Sequence, residues 1–267
     1  MKYTVFGALA ALVLGTPALS EDMKLAVTTS FHNSGLAEVL LPQIKVDLGL
    51  DVQLLVVGTG QAIRLGEAGD VDAILVHSQK AEEAFLAGAN GTHRREIMYN
   101  DFVFIGPEAD PAAVNSASSA KEALRKIAGA EAAFVSRGDD SGTHKKELSL
   151  WVAADLKPDA FGNWYNAVGA GMGAALNTAS GMDGYIMSDR ASWLNFANKG
   201  DLGLLYSGDP VLFNQYAYLP VNPEKHDHVK AGLAIKLEEW LVSDTAKQLI
   251  NSYQINGESL FVFNAKQ

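Results

Sequence analysis

The chain has 267 residues and is 48% hydrophobic, which suits one large domain or two of roughly 120 residues each and excludes disorder and fibres. Thirty-one acidic residues against 21 basic give a formal charge of −10 at pH 7, the wrong sign for a general nucleic-acid or anionic-membrane surface, so any anion must be captured locally. With no cysteine, disulfide frameworks, Cys-ligated zinc or iron–sulfur sites and thiol nucleophiles are excluded.

Residues 1–20 open with Lys2, run through the apolar stretch Ala8 to Leu14 and close on Ala18-Leu19-Ser20, small at the −3 and −1 positions. This pattern predicts a cleaved secretory signal peptide with Glu21 as the mature N-terminus, because the apolar run is shorter than the roughly 20 residues that cross a bilayer. No cysteine follows the cleavage point to carry a lipid, so the expected product is a periplasmic protein released from the membrane.

From Glu21 onward two kinds of segment alternate. Leu25-Ala26-Val27, Val52 to Val57, Ala73 to Val76 and Ala132 to Val135 are apolar runs expected as buried strands of a parallel sheet. Leu36, Val39, Leu40 and Ile44, and again Leu148, Trp151, Val152 and Leu156, recur at helical spacing. The small-residue stretch Ala109 to Ala120 is expected as a loop. Further on, the pattern predicts a helix over Met172 to Ser180, a strand at Tyr185 to Met187, a helix over Asp189 to Ala197 and a strand at Leu202 to Leu205. An extended stretch, Leu212 to Leu219, and helices over Asp227 to Leu241 and Asp244 to Tyr253 complete the chain. This alternation means an α/β fold of two doubly wound lobes, with ligands outside the carboxyl ends of the strands.

Three strand-to-helix loops share a composition: Thr28-Thr29-Ser30, Gly58-Thr59-Gly60, and Ser136 to Thr143. The first is expected to lead into a helix near Ser34-Gly35. Each loop places hydroxyls and small residues where the first N–H groups of a helix lack intrahelical partners, which makes an oxyanion site. Ser and Thr are also ordinary helix caps, and Gly-Thr-Gly an ordinary turn. The third loop favours the anion, because it adds Arg137 and its helix begins His144-Lys145-Lys146, where positive charge opposes the helix dipole unless an anion offsets it.

Enzyme chemistry finds less support. Ser141 with His144 and Asp139 suggests a periplasmic serine hydrolase, but the G-x-S-x-G elbow is missing and a Ser three residues before the His is more naturally a cap. The histidines, His32, His77, His93, His144, His226 and His228, are scattered, and the pair His226 and His228 sits in a polar turn, so no cation site is expected.

Together, Thr28 to Ser30 with Asn33 to Leu36, Val57 to Ala62, Leu75-Val76-His77, Met98 to Val103 and the long Val135 to Leu148 stretch resemble the periplasmic tungstate-binding proteins of tungstate ABC transporters. Gly171-Met172-Gly173 and Ser188-Asp189-Arg190 extend the likeness over nearly the whole mature chain. The resemblance implies a type II-like periplasmic binding fold: two parallel or mixed sheets flanked by helices, with two crossing strands near Phe102 to Gly106 and Tyr206 to Phe213. It divides the chain into a signal peptide (1–20), a discontinuous first lobe (21–104 and 209–267) and a second lobe (105–208). The implied ligand residues are Thr29, Ser30, Thr59, Gly60, Arg137, Ser141, Gly142 and Thr143, with weaker assignments to Thr28, Gly58, Gly171 and Met172. It further implies no catalytic residues, no cofactor beyond the tungstate or molybdate ligand, a membrane permease as partner and a monomer. Val27 and Phe31 depart from the family's first loop and remove one possible hydroxyl donor.

Tungstate, molybdate and sulfate are bare dianions at pH 7, whereas phosphate usually keeps a proton and needs an acceptor. Phosphate binders resemble this chain in the Ser-Gly-Thr element but carry an Asp after an early strand, where here Val76-His77-Ser78 offers no acid. Asp139 and Asp140 fit a bare dianion only if they turn away to hold Arg137 or cap the helix. Phosphate is the alternative ligand.

Overall fold

The computed structural model describes residues 21–139 and 141–266; the expected leader over residues 1–20 and Asp140 lie outside the described residues. Three parallel strands open the fold, with β1 (Glu21–Thr28) between β2 (Leu50–Val57) and β3 (Ala73–Val76). After β1 come α1 (Thr29–Asn33) and α2 (Leu36–Leu48), after β2 comes α3 (Thr59–Ala68), and after β3 comes α4 (Gln79–Ala87). From Leu25 to Thr28, β1 is buried without alternation, because both of its faces are covered. Leu25 and Val27 join the core under α2, and Ala26 joins a second core with Ala62 and Ile63 of α3.

The chain continues through β4 (Arg95–Pro107), α5 (Ala120–Gly129), β5 (Phe134–Ser136), α6 (Gly142–Ala153), β6 (Tyr165–Ala167), α7 (Met172–Met182), β7 (Tyr185–Asp189), α8 (Arg190–Asn195) and β8 (Leu202–Tyr206). It returns along β9 (Phe213–Pro220) and ends with α9 (Ala231–Leu241), α10 (Asp244–Ser252), a hairpin of β10 (Gln254–Ile255) and β11 (Glu258–Ser259), and β12 (Val262–Phe263). Among the described residues the main sheet has ten strands in the order β2-β1-β3-β9-β4-β7-β5-β6, with β8 and β12 also paired to β4.

The 13-residue strand β4 ties the two ends of the sheet together. Through Asp101 it pairs with β9, and from Phe102 it pairs with β7. The parallel sheets expected from the apolar runs are therefore mixed and share a strand: β3–β9, β9–β4 and β4–β7 are antiparallel, whereas β5 runs parallel to both β6 and β7. Beyond the shared strand, Phe134, Trp151 and Tyr185 centre a separate aromatic core. Asp101, at the point of exchange, accepts two bonds from Arg190 of α8, at 2.7 and 2.6 Å.

Several boundaries differ from the expected ones, each for a local reason. A five-residue helix starts at Thr29, ahead of Ser34-Gly35, because Thr28 Oγ1 accepts the Phe31 N–H at 3.2 Å. Helix α6 stops at Ala153, since the left-handed Asp155 (φ +62°) breaks it before Leu156. Asp189 caps α8, accepting the Ser192 N–H at 2.9 Å, and that helix ends at Asn195. Helix α9 begins at Ala231 rather than Asp227, because Asp72 Oδ1 takes the Lys230 N–H at 2.7 Å and holds the preceding turn outside the helix.

Candidate functional site

The three loops singled out in the sequence converge on one cavity of about 40 Å³, lined by Thr28, Thr29 and Ser30, by Gly58 and Thr59, and by Arg137, Ser141, Gly142 and Thr143, with His77 as the tenth residue. Each loop arrives at the carboxyl end of a strand: β1, β2 and β5 deliver the first, second and third. A water-sized group occupies roughly 10–15 Å³ on this scale, so the cavity admits about three or four such groups, the size of a tetrahedral oxyanion. Beyond it the cleft widens into a space of about 400 Å³ bordered by Gly60, Arg64, Asp139 and Lys145.

Two long helices point their N-termini here. Helix α3 follows Gly58, which supplies no side-chain cap, so its leading N–H groups rely on partners from outside the helix. Helix α6 is capped by Ser141, whose Oγ accepts the His144 N–H at 3.2 Å. That bond uses Ser141 as a cap, in the manner expected against a hydrolase triad. Gly142 must be glycine for closeness: a Cβ there would lie 2.8 Å from His77 Cε1, so α6 meets the end of β3 almost backbone to ring.

The third loop is clamped at both ends. Ser136 precedes it and Glu147 follows it on α6, and the buried Glu147 carboxylate accepts from Ser136 Oγ at 2.6 Å, Tyr165 Oη at 2.7 Å and Trp151 Nε1 at 3.0 Å. Burial pushes the Glu147 pKa up and these three donors oppose it. Within the loop, Gly138 turns the chain at φ +61°. Arg137 Nε donates to Asp139 Oδ2 at 3.1 Å, and Nη2 bonds to the same oxygen. The other oxygen, Oδ1, accepts the Ser141 N–H at 3.2 Å. Burial opposes ionisation of Asp139, but its bonds from Ser141 and Arg137 outweigh it and keep the carboxyl below its usual pKa. Asp139 thus faces its own loop and borders the outer cleft; among the described residues no carboxylate lines the inner cavity.

A polar chain that the sequence did not disclose runs behind the first loop. Ser30 Oγ lies 3.0 Å from Thr28 Oγ1, 3.0 Å from His77 Nε2 and 3.1 Å from Tyr216 Oη. The His77 ring packs on Tyr216 with centroids 4.9 Å apart. Burial lowers the His77 pKa to about 4, so the ring is neutral at pH 7, and burial raises that of Tyr216. His77 carried a signal in the sequence, standing where phosphate binders carry an acid. Tyr216, on β9, carried none.

The first-loop departures do no harm to the cavity. Val27 is fully buried in β1, and Phe31 is buried against Tyr216 with ring centroids 6.2 Å apart, so neither side chain belongs to the lining. Gly60 borders the outer cleft. Gly171 and Met172 stand outside the lining, at the start of α7. The segment just before them braces the third loop instead: Val168 N–H donates to Ser136 O at 3.0 Å and Ala170 N–H to Arg137 O at 3.1 Å. His226 and His228 lie far off in the turn before α9, bonding the carbonyls of Glu67 and Gly69. Among the described residues no three His, Asp or Glu side chains are grouped to hold a metal ion, and no helix is long and apolar enough to cross a membrane.

Comparison with known proteins identifies the family. The family profile described as a PBP superfamily domain matches residues 15–245. The tungstate-binding protein TupA of Peptoclostridium acidaminophilum is 43% identical over 247 residues, 90% of this chain and 85% of that protein. TupA of Campylobacter jejuni is 35% identical over 89% of both chains. Among solved structures, the tungstate-binding protein TupA from Desulfovibrio alaskensis superposes with a TM-score of 0.87 at 42% identity, covering 92% of this chain and all of that one. The tungstate ABC transporter structure from Geobacter sulfurreducens gives 0.79 at 44% identity, covering 87% of this chain and 99% of that one. These relatives are binding proteins by name. The chain belongs to the PBP superfamily and, within it, to the family of TupA tungstate-binding proteins.

Proposed function

We propose that this protein captures tungstate, and molybdate as the ion of the same shape, and delivers it to the membrane permease of an ABC transporter. The observation that carries this reading is the small cavity in which Arg137 and the hydroxyl and amide donors of three loops converge with no lining carboxylate among the described residues. Such a site favours a bare tetrahedral dianion, because it offers many donors and, among the described residues, no carboxylate to take up a ligand proton. Charge-assisted bonds contribute roughly 1.5–3 kcal/mol each before desolvation is subtracted, so a handful of them supports nanomolar binding, about −12 kcal/mol. Thr29, Ser30, Thr59, Gly60, Arg137, Ser141, Gly142 and Thr143 are the assigned contacts, with Thr28 and Gly58 beside them. Gly171 and Met172 stand as weaker candidates outside the lining, directly after the Val168 and Ala170 N–H groups that brace the Arg137 loop.

The first lobe comprises residues 21–104 and 209–267 and the second residues 105–208, closing on the ion about β4 and the 206–213 crossing. The exchange of partners along β4 at Asp101 and Phe102 supports that division. The mature chain works as a monomer in the periplasm after removal of residues 1–20, without catalysis and without a cofactor. Calorimetry with sodium tungstate, phosphate and sulfate tests the reading, together with metal analysis of protein purified from cells. Tungstate is expected to bind far more tightly and to raise the melting temperature most, since a ligand held by the native state stabilises it. An equal response to phosphate would overturn the assignment.

A further inference from the structure

The Ser30 hydroxyl has more polar neighbours than it has protons. Thr28 Oγ1, His77 Nε2 and Tyr216 Oη all lie within 3.1 Å of its Oγ, yet a serine hydroxyl donates once and accepts twice. If the Ser30 proton is given to His77, the hydroxyl presents only lone pairs to the cavity and repels an oxyanion. If His77 carries its proton on Nε2, it donates to Ser30, Tyr216 Oη fills the second lone pair, and the Ser30 proton is left for the ligand. Thr28 Oγ1 accepts from the Phe31 N–H and keeps one lone pair within reach of the Ser30 proton, but a dianion in the cavity is the stronger acceptor for it. The ring has little freedom to evade this choice: Tyr216 packs on it, and Gly142 approaches it so closely that a methyl group would lie 2.8 Å away.

We propose that His77 is a positioning residue for oxyanion binding: wedged between Tyr216 and Gly142, it donates from Nε2 to Ser30 Oγ and thereby turns the Ser30 proton into the cavity. This rests on the oxyanion reading of the cavity and adds to it a residue that acts through Ser30 rather than on the ion. His77 belongs to the end of β3, Tyr216 to β9 and Gly142 to α6, so the hydroxyl is set correctly only when these three elements come together.

The test is calorimetry with sodium tungstate on the mature protein and on Ser30→Ala, His77→Phe, His77→Gln and the Ser30→Ala/His77→Phe double variant, with thermal melts of each ligand-free form. Action through Ser30 predicts that Ser30→Ala and His77→Phe each weaken binding at least tenfold. The double variant is expected to be no weaker than the worse single one, as a double-mutant cycle reads for one shared interaction. His77→Gln, whose amide N–H can donate from a similar place, is expected to recover most of the loss. Nitrogen-15 NMR of the tungstate complex should show the neutral Nε2–H tautomer at His77, a reading that needs no variant to fold. Unchanged affinity in His77→Phe, losses that multiply in the double variant, or an Nδ1–H or doubly protonated ring would each overturn the proposal. Wild-type protein that does not bind tungstate would overturn the oxyanion reading itself, a result distinct from these.

Discussion

Removing the Arg137 side chain tests the site at the one guanidinium that lines it among the described residues. The group has five N–H donors, and Asp139 engages it through Nε and Nη2. Arg137 lines the cavity, where its remaining N–H groups would meet an anion. Two charge-assisted bonds at roughly 1.5–3 kcal/mol each correspond to about 3 kcal/mol at the low end, and each 1.4 kcal/mol is about tenfold in affinity. Arg137→Ala is therefore expected to weaken tungstate binding about a hundredfold or more. The loss has a second part: with Arg137 gone, Asp139 keeps its charge and its bond to the Ser141 N–H but has no guanidinium beside it. Asp139→Asn preserves an oxygen for Ser141 and removes the charge, so the Arg137→Ala/Asp139→Asn pair should bind several-fold better than Arg137→Ala alone. Isothermal calorimetry measures both, with circular dichroism as the check on folding. Tungstate affinity within threefold of wild type in Arg137→Ala would refute the reasoning.

Gly142→Ala changes no charge and no hydrogen-bonding group, yet its methyl would sit 2.8 Å from His77 Cε1, well inside the roughly 3.5–4.0 Å of carbon–carbon contact; titration should show at least tenfold weaker tungstate binding, and the ligand-free melting temperature should fall as the ring is displaced. Glu147→Ala leaves the Ser136, Trp151 and Tyr165 donors without their carboxylate, and at roughly 1–3 kcal/mol per unsatisfied buried group urea denaturation should show a loss of about 3 kcal/mol or more. The pH dependence of stability carries the sign of His77. Burial lowers its folded pKa to about 4 from the roughly 6.5 of a free imidazole, so the unfolded chain binds more protons in between, and stability falls as the pH drops from about 6.5 to about 4, by at most about 3 kcal/mol. Urea melts at pH 7 and pH 4.5 should show a smaller loss in His77→Phe than in wild type.

The three donor loops were legible because each is a short run of Ser, Thr, Gly and one Arg between an apolar strand and a helical pattern, a local arrangement that spacing reveals. The polar chain behind them was not, because it joins Ser30, His77 and Tyr216 across long separations and each alone reads as an isolated core or cap residue. Strand β4 was anticipated only through the resemblance, as a crossing near Phe102 to Gly106, and its first half was missed for another reason. Its apolar run is broken by Arg95, Glu96, Asn100 and Asp101: Arg95 bonds Glu238 and Asp101 holds Arg190, whereas Asn100 accepts the Asn214 amide through Oδ1 and leaves its own buried amide without a partner among the described residues. Helices α4 and α5 were not anticipated, although α5 carries its apolar stripe at helical spacing in Ala120, Ala123, Leu124 and Ile127; Phe85 anchors α4 in the folded core. Mixed strand direction likewise depends on which distant segment comes alongside, as β9 does between β3 and β4.

An anion site on a chain with a formal charge of −10 has to work against its own surroundings. Here the opposition is resolved by geometry at two distances. Close to the cavity, Asp139 is turned onto Arg137 and the Ser141 N–H and lies outside the lining, so that the ion meets donors first. Farther out, the cleft walls carry Arg64, Lys80, Lys145 and Lys146, which make its mouth locally positive. Burial depresses the pKa of Lys146, which reflects a cationic group held partly out of solvent while Asp209 pulls in the opposite direction. Net charge decides long-range repulsion, and at about 0.15 M salt that reach is only about 8 Å. Within that distance of the cavity the sign is set by these side chains and by the leading ends of α3 and α6, and the overall acidity of the protein acts against surfaces such as nucleic acid rather than against a small ion that has entered the cleft.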